Sequence, residues 1–195
     1  MRFILILCLF FSAYASGNNI NNQANDNSSG NKKAYMIDFS KQENGRWRIT
    51  NDGVMGGLSN GEMMFAQDHG IFSGSISLDN NGGFSSVFRA VDNLPQSYKK
   101  LVINTEGDGQ AYQLRLIIYV NGYRLAYKHD FKTVANKREN HIFELADFKA
   151  TFRGRAIPNA PLLNSEDIKE VGFLMTKKVP GQFSLSIFTL SFLKQ

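Results

Sequence analysis

The sequence predicts an all-β sandwich, and three observations carry that expectation. From Tyr35 onward, apolar side chains recur with a period of two. Short runs of Gly, Asn and Asp separate the apolar segments, which is the punctuation of closely spaced antiparallel strands. Helix signals are few: Ser165-Glu166-Asp167-Ile168-Lys169-Glu170 opens on a capping residue with two acids in its first turn, enough for one or two turns.

The clearest element is a hairpin. Leu114, Leu116, Ile118 and Val120 alternate with Gln113, Arg115, Ile117 and Tyr119, and Tyr123, Leu125, Tyr127, His129 and Phe131 alternate with Arg124, Ala126, Lys128 and Asp130. Asn121-Gly122 lies between the two runs and supplies the positive φ of a two-residue turn, so antiparallel strands are expected near 112–120 and 123–131. His129 shares the parity of the apolar face, which places it at the rim of the core. Further strands are expected at Ile71–Leu78, Phe84–Arg89, Leu101–Thr105, Ile142–Leu145 and Gly172–Met175. The last run starts with Phe183, Leu185 and Ile187 on one face and then switches to Phe188, Leu190 and Phe192. Because a one-residue slip turns every side chain over, a bulge or a doubly buried stretch is expected at Ile187-Phe188.

The chain of 195 residues is long enough for one domain and a tail, and its 16 Phe, 7 Tyr and 1 Trp are ample for a core. Met1-Arg2, the apolar run Phe3–Phe11 and the small residues before a cut after Ala15 form the three-part pattern of a secretory signal peptide. Residues 16–34 hold seven Asn and one large hydrophobe, Ile20, and read as a disordered tether. Residues 35–195 are the expected folded domain. Export to a periplasm or to the outside follows, and removal of residues 1–15 takes away Cys8, the single cysteine.

Composition narrows the chemistry. One cysteine and three scattered histidines argue against a metal cluster, no nucleophile elbow is expected, and Gly107-Asp108-Gly109 is not completed to a dinucleotide fingerprint. No catalytic set, cofactor or metal is therefore expected. A net charge of +5 with intermixed acids is an ordinary solvated surface rather than a nucleic-acid footprint. Two segments stand out as candidate binding loops. One is Asn51–Gly61, with Asp52, Met55, Gly56 and Gly57; the other is Leu78–Val87, with Asn80, Asn81 and Gly82. Arg153 and Arg155 add a basic loop.

The string Trp47…Asp52-Gly53-Val54-Met55-Gly56-Gly57…Ser59 resembles the signature of the complex I intermediate-associated protein 30 family. The resemblance runs on through Phe72-Ser73-Gly74, Leu78–Val87 with Arg89, Gly107–Tyr112, Phe148…Arg155, Ile168…Phe173 and Gly181–Leu185. It implies a galactose-binding-like jelly roll and a non-enzymatic chaperone that assists assembly of NADH:ubiquinone oxidoreductase, in mitochondria for the best-known members. Two departures accompany it. The apparent secretory signal points to an envelope or extracellular site. Phe88 places Arg89 one residue late, on the opposite strand face unless a bulge absorbs the extra residue.

The leading expectation is a binding or assembly factor with a protein partner, such as a respiratory-complex subunit. The alternative is a secreted carbohydrate-binding module, in which Tyr119 and Tyr123 at the hairpin tip would offer a stacking face to a glycan. An enzyme would need two carboxylates converging in a cleft.

Overall fold

The computed structural model describes residues 34–40 and 43–194. The expected signal peptide and all of the expected tether except Ala34 lie outside the described residues. Ala34 itself opens the first strand.

Thirteen strands are described: β1 (Ala34–Asp38), β2 (Trp47–Asn51), β3 (Asn60–Phe65), β4 (Gly70–Ile76), β5 (Phe84–Ala90), β6 (Lys100–Gly107), β7 (Ala111–Val120), β8 (Tyr123–Lys132), β9 (Arg138–Glu144), β10 (Lys149–Phe152), β11 (Arg155–Ala156), β12 (Glu170–Thr176) and β13 (Gly181–Leu193). They form two sheets whose strand–strand ladders are all antiparallel. One runs β3-β4-β13-β6-β9, with β1 also on β13; the other runs β11-β10-β8-β7-β12-β5-β2. Among the described residues, no helix is long and apolar enough to cross a membrane.

The expected hairpin is β7–β8, in register from Ala111↔Lys132 to Val120↔Tyr123, with Asn121 and Gly122 at φ 48 and 80. His129 sits at the core's rim against Phe143 and Phe148. The bulge also falls where parity predicted it. In the β13–β6 ladder Ile187 faces Thr105 and Thr189 faces Asn104, so Phe188 is the extra residue. It lets both Ile187 and Leu190 be wholly buried.

Three expectations shift at their ends. Leu78 and Leu145 are not in strands, since each belongs to or flanks a single 3-10 turn. The helix signal yields one 3-10 turn, Ser165–Asp167. Asn164 rather than Ser165 occupies the cap position there, and the Ser165 hydroxyl instead donates to Pro95 O over 2.6 Å.

The core lies between the sheets. Phe39, Trp47 and Phe173 stack around one another, with ring centres 4.9 to 6.3 Å apart, and Phe72 packs on Phe183 at 4.9 Å. Each such side chain, fully buried, stabilises the fold by about 1.5 to 3 kcal/mol.

One ion pair is set into this packing. Arg89 donates to Glu43 through Nε at 2.6 Å and through Nη2 at 3.1 Å, and the Trp47 indole donates to the same carboxylate at 3.3 Å. No bulge absorbs Phe88: β5 pairs without a break to β2 and β12. Arg89 shares the face of buried Val87, and Phe88 takes the outer face.

Candidate functional site

Two adjoining features bring together most of the residues singled out from the sequence. The first is a platform made by the two Gly- and Asn-rich loops. Asp52 starts a 3-10 turn, Asp52–Met55, directly after β2. Its carboxylate is buried and accepts three backbone amides: Ser59 on Oδ1 at 2.9 Å, and Gly83 and Phe84 on Oδ2 at 2.6 and 3.2 Å. Burial pushes the Asp52 carboxyl up, but the hydrogen bonds from Ser59, Gly83 and Phe84 outweigh it and hold the group below its ordinary value.

The glycines around Asp52 follow from this contact. A Cβ on Gly57 would lie 2.4 Å from Asp52 Cγ, and one on Gly82 would lie 2.6 Å from Asp52 Oδ2. Gly56 closes the turn at φ 88. Asn80 and Asn81 take φ 54 and 59, and Asn80 Nδ2 donates to Gly56 O at 2.9 Å, stitching the second loop to the first. Thus Asp52, Gly56, Gly57, Asn80, Asn81 and Gly82 build the platform's frame. What the frame displays is apolar: Val54, Met55 and Leu58 are 74%, 64% and 63% exposed.

The second feature is a groove of about 940 Å³ on the outer face of the seven-stranded sheet. Arg48 and Thr50 come from β2, Phe84, Ser86 and Phe88 from β5, Leu174 and Thr176 from β12, Gln113, Arg115 and Tyr119 from β7, and Arg124 and Lys128 from β8. Thr151, Arg153 and Gly154 close one side, and Met55 links the groove to the platform.

Part of the groove is tied down by Glu170. This carboxylate accepts from Tyr119 Oη at 2.9 Å, from Arg124 Nε and Nη2 at 3.1 and 3.0 Å, and from Arg48 Nη2 at 3.0 Å. Burial raises its pKa, yet the hydrogen bonds of Arg124 and Tyr119, with the charges of Arg124 and Arg48, bring it below the usual range. The Arg124 guanidinium covers the Phe88 ring at 4.4 Å. Arg115 differs: among the described residues its guanidinium donates to the neutral Gln113 Oε1, at 3.1 and 2.8 Å. Burial and then the neighbouring Arg124 charge push its pKa down against the opposing charge of Asp130, which lies beyond ion-pair distance.

The sequence pattern of the complex I intermediate-associated protein 30 family matches residues 37–187. The chain belongs to that family. No curated protein matches it in sequence. The similar solved structures include the family 11 carbohydrate-binding module of Clostridium thermocellum. One structure of it, in complex with a β-1,3-1,4-mixed-linked tetrasaccharide, is 12% identical with a TM-score of 0.62; another, from the cellulosomal cellulase Lic26A-Cel5E, is 10% identical with a TM-score of 0.63. Each comparison covers 83% of this chain and 95% of that one. The shared fold is the galactose-binding-like jelly roll.

Several motif residues of this complex I intermediate-associated protein 30 family member meet in pairs. Asp108 accepts from Gln110 and Tyr112 within its own motif and from the Ser184 amide at 2.9 Å, while Gln110 Nε2 donates to Gln182 O at 2.9 Å. Arg153 lines the groove, but Arg155 is exposed in β11 and does not. Tyr119 and Tyr123 do not form one stacking face. Tyr123 pairs with Val120, on the core parity, and packs edge-on to Phe152. Tyr119 points to the groove side.

Two further points escaped the sequence reading. Gly57-Leu58-Ser59-Asn60-Gly61 does have the spacing of a nucleophile elbow. Ser59 leads into a strand rather than a helix, however, and its 7% exposed hydroxyl both donates to Ser77 O and accepts from Ser77 N, a turn-locking role. The groove itself escaped because its cations lie on three separate strands, β2, β7 and β8, and on the β10–β11 connection, where only the polar parity of β7 and β8 hinted at a shared face.

Proposed function

We propose that the chain is a non-enzymatic assembly factor that docks on a protein partner through the loop platform. The observation that carries this reading is the exposure of Val54, Met55 and Leu58 on a frame locked by Asp52. Apolar groups held out on a rigid turn lose little entropy on binding and favour a complementary protein surface. The family's tie to complex I intermediates supports a respiratory-complex subunit as that partner, and the N-terminal export pattern supports an envelope location. The test is affinity capture from native membranes with the wild type and a Val54→Ser/Met55→Ser variant. Enrichment of respiratory-complex subunits by the wild type alone supports the reading; equal recovery with both proteins contradicts it. Mass spectrometry of the mature N-terminus tests export, with a start at Ser16 as the expected result.

A second reading, a secreted carbohydrate-binding module, is favoured by the groove. It lies across a sheet face of a jelly roll shared with a module solved with a bound tetrasaccharide. Binding of any polysaccharide by the full chain, measured by calorimetry, tests it.

A further inference from the structure

The groove carries more positive charge than its own carboxylates neutralise. Arg48, Arg115, Arg124, Lys128 and Arg153 line it. Glu170 pairs with Arg48 and Arg124, and Asp130 pairs with Lys128 at 3.1 Å. Among the described residues, no carboxylate lies within ion-pair distance of Arg115 or Arg153. Arg115 is half-buried, so water satisfies its guanidinium only in part, and its hydrogen-bond partner is a neutral amide. A guanidinium in that setting gains most from an oxyanion, which accepts two parallel N–H groups.

The rest of the lining defines the ligand's other chemistry. Ser86, Gln113, Thr151 and Thr176 offer hydroxyl and amide groups across the floor, and Phe84 offers an apolar ring. The floor is a sheet face whose backbone groups are consumed in the ladders β5–β12, β12–β7 and β7–β8. An extended peptide would find no strand edge there to pair with. A polyol chain needs none.

We propose that this groove binds an acidic polysaccharide, with carboxylates or sulfates on Arg115 and Arg153 and sugar hydroxyls on the neighbouring polar side chains. The proposal rests on the carbohydrate-binding reading and adds the charge of the ligand. Its ligand is distinct from the protein partner of the platform.

The test is titration calorimetry on the full chain with four probes: polygalacturonate, a sulfated galactan, a neutral mixed-linked β-glucan and poly-glutamate. Tighter binding of polygalacturonate or the sulfated galactan than of the other two, by about tenfold or more, is expected, as loss of one charge-assisted pair implies. The stronger of the two acidic glycans identifies the oxyanion. Arg115→Gln should weaken binding by about tenfold, and rising salt should weaken it further. Should Arg115→Gln fail to fold, Arg153→Asn decides, because Arg153 is exposed at φ 48, a conformation Asn accepts. Binding of the neutral glucan as tightly as the acidic polymers would overturn the proposal but leave the carbohydrate reading standing. Failure of every glycan would overturn both. Equal binding of poly-glutamate, or unchanged affinity in the folded variants, would also overturn the proposal.

Discussion

The Gly83 amide donates to Asp52 Oδ2 across 2.6 Å, although the two residues are 31 positions apart. That single bond joins the two loops that the sequence marks as unusual, and Ser59 and Phe84 complete the set. Asp52→Ala would leave three amides around a buried site without an acceptor. The expected loss is about 3 kcal/mol by chemical denaturation. Gly57→Ala should also destabilise, because its new methyl meets a carboxylate that cannot move without breaking those bonds. A loss below about 0.5 kcal/mol for both would mean that the loops are not tied through Asp52.

Acid should loosen the same frame. Asp52 and Glu170 are both held below their ordinary values in the folded state. Such groups stabilise the fold above the unfolded carboxylate value of about 4, and the contribution disappears as the pH falls through the lower folded value. The Tm should therefore be nearly flat from about pH 7 to 5 and fall below about pH 4. Asp52→Asn should lower the Tm at neutral pH and show a shallower acid fall. An unchanged acid slope in that variant would assign the effect elsewhere.

The Arg89–Glu43 pair predicts a strong asymmetry between single and double changes. Both side chains are about nine-tenths buried, at 11% and 10% exposure. Arg89→Met alone leaves a buried carboxylate with the Trp47 indole and the more distant, exposed Arg46 guanidinium, 3.9 Å away, at an expected cost of about 3 kcal/mol. Adding Glu43→Gln should recover much of that loss. Equal instability of the single and double variants in denaturant titrations would contradict the assignment.

Phe188 can be removed without inverting the strand. It is the unpaired bulge residue, so its deletion leaves Ile187, Leu190 and Phe192 on the core face and Thr189 outside. The deletion sacrifices the bond from Phe39 N to Phe188 O, 3.0 Å, and the Arg138 contact over its ring, 3.4 Å. Because the Phe188 ring is also buried, a folded protein weakened by about 3 to 5 kcal/mol is expected. Loss of folding would show that the bulge also sets the sheet's curvature.

What was legible in the sequence were features that repeat locally. The period of two and Asn121-Gly122 located β7–β8, and the parity slip located the bulge, because backbone geometry ties both to neighbouring residues. Strands β1, β2, β3, β10 and β11 and the pairing order of the sheets were not legible, since these depend on partners distant in the chain. The site divides in the same way. Glycine and asparagine marked the platform loops by their turn chemistry, but Asp52's role as the acceptor holding Gly83 needed coordinates. Tyr119 and Tyr123 misled, because residues across a two-residue turn were read as sharing a face when the register places them on opposite ones.

The proposed docking role of the platform turns on Val54 and Met55, which it holds out to solvent. The most direct measurement compares capture of respiratory-complex subunits from native membranes by the wild type and by Val54→Ser/Met55→Ser. Because both side chains are exposed, the variant should keep its stability to within about 0.5 kcal/mol. Those subunits should come down with the wild type and not with the variant. Equal recovery with both proteins, at equal stability, would contradict the docking role.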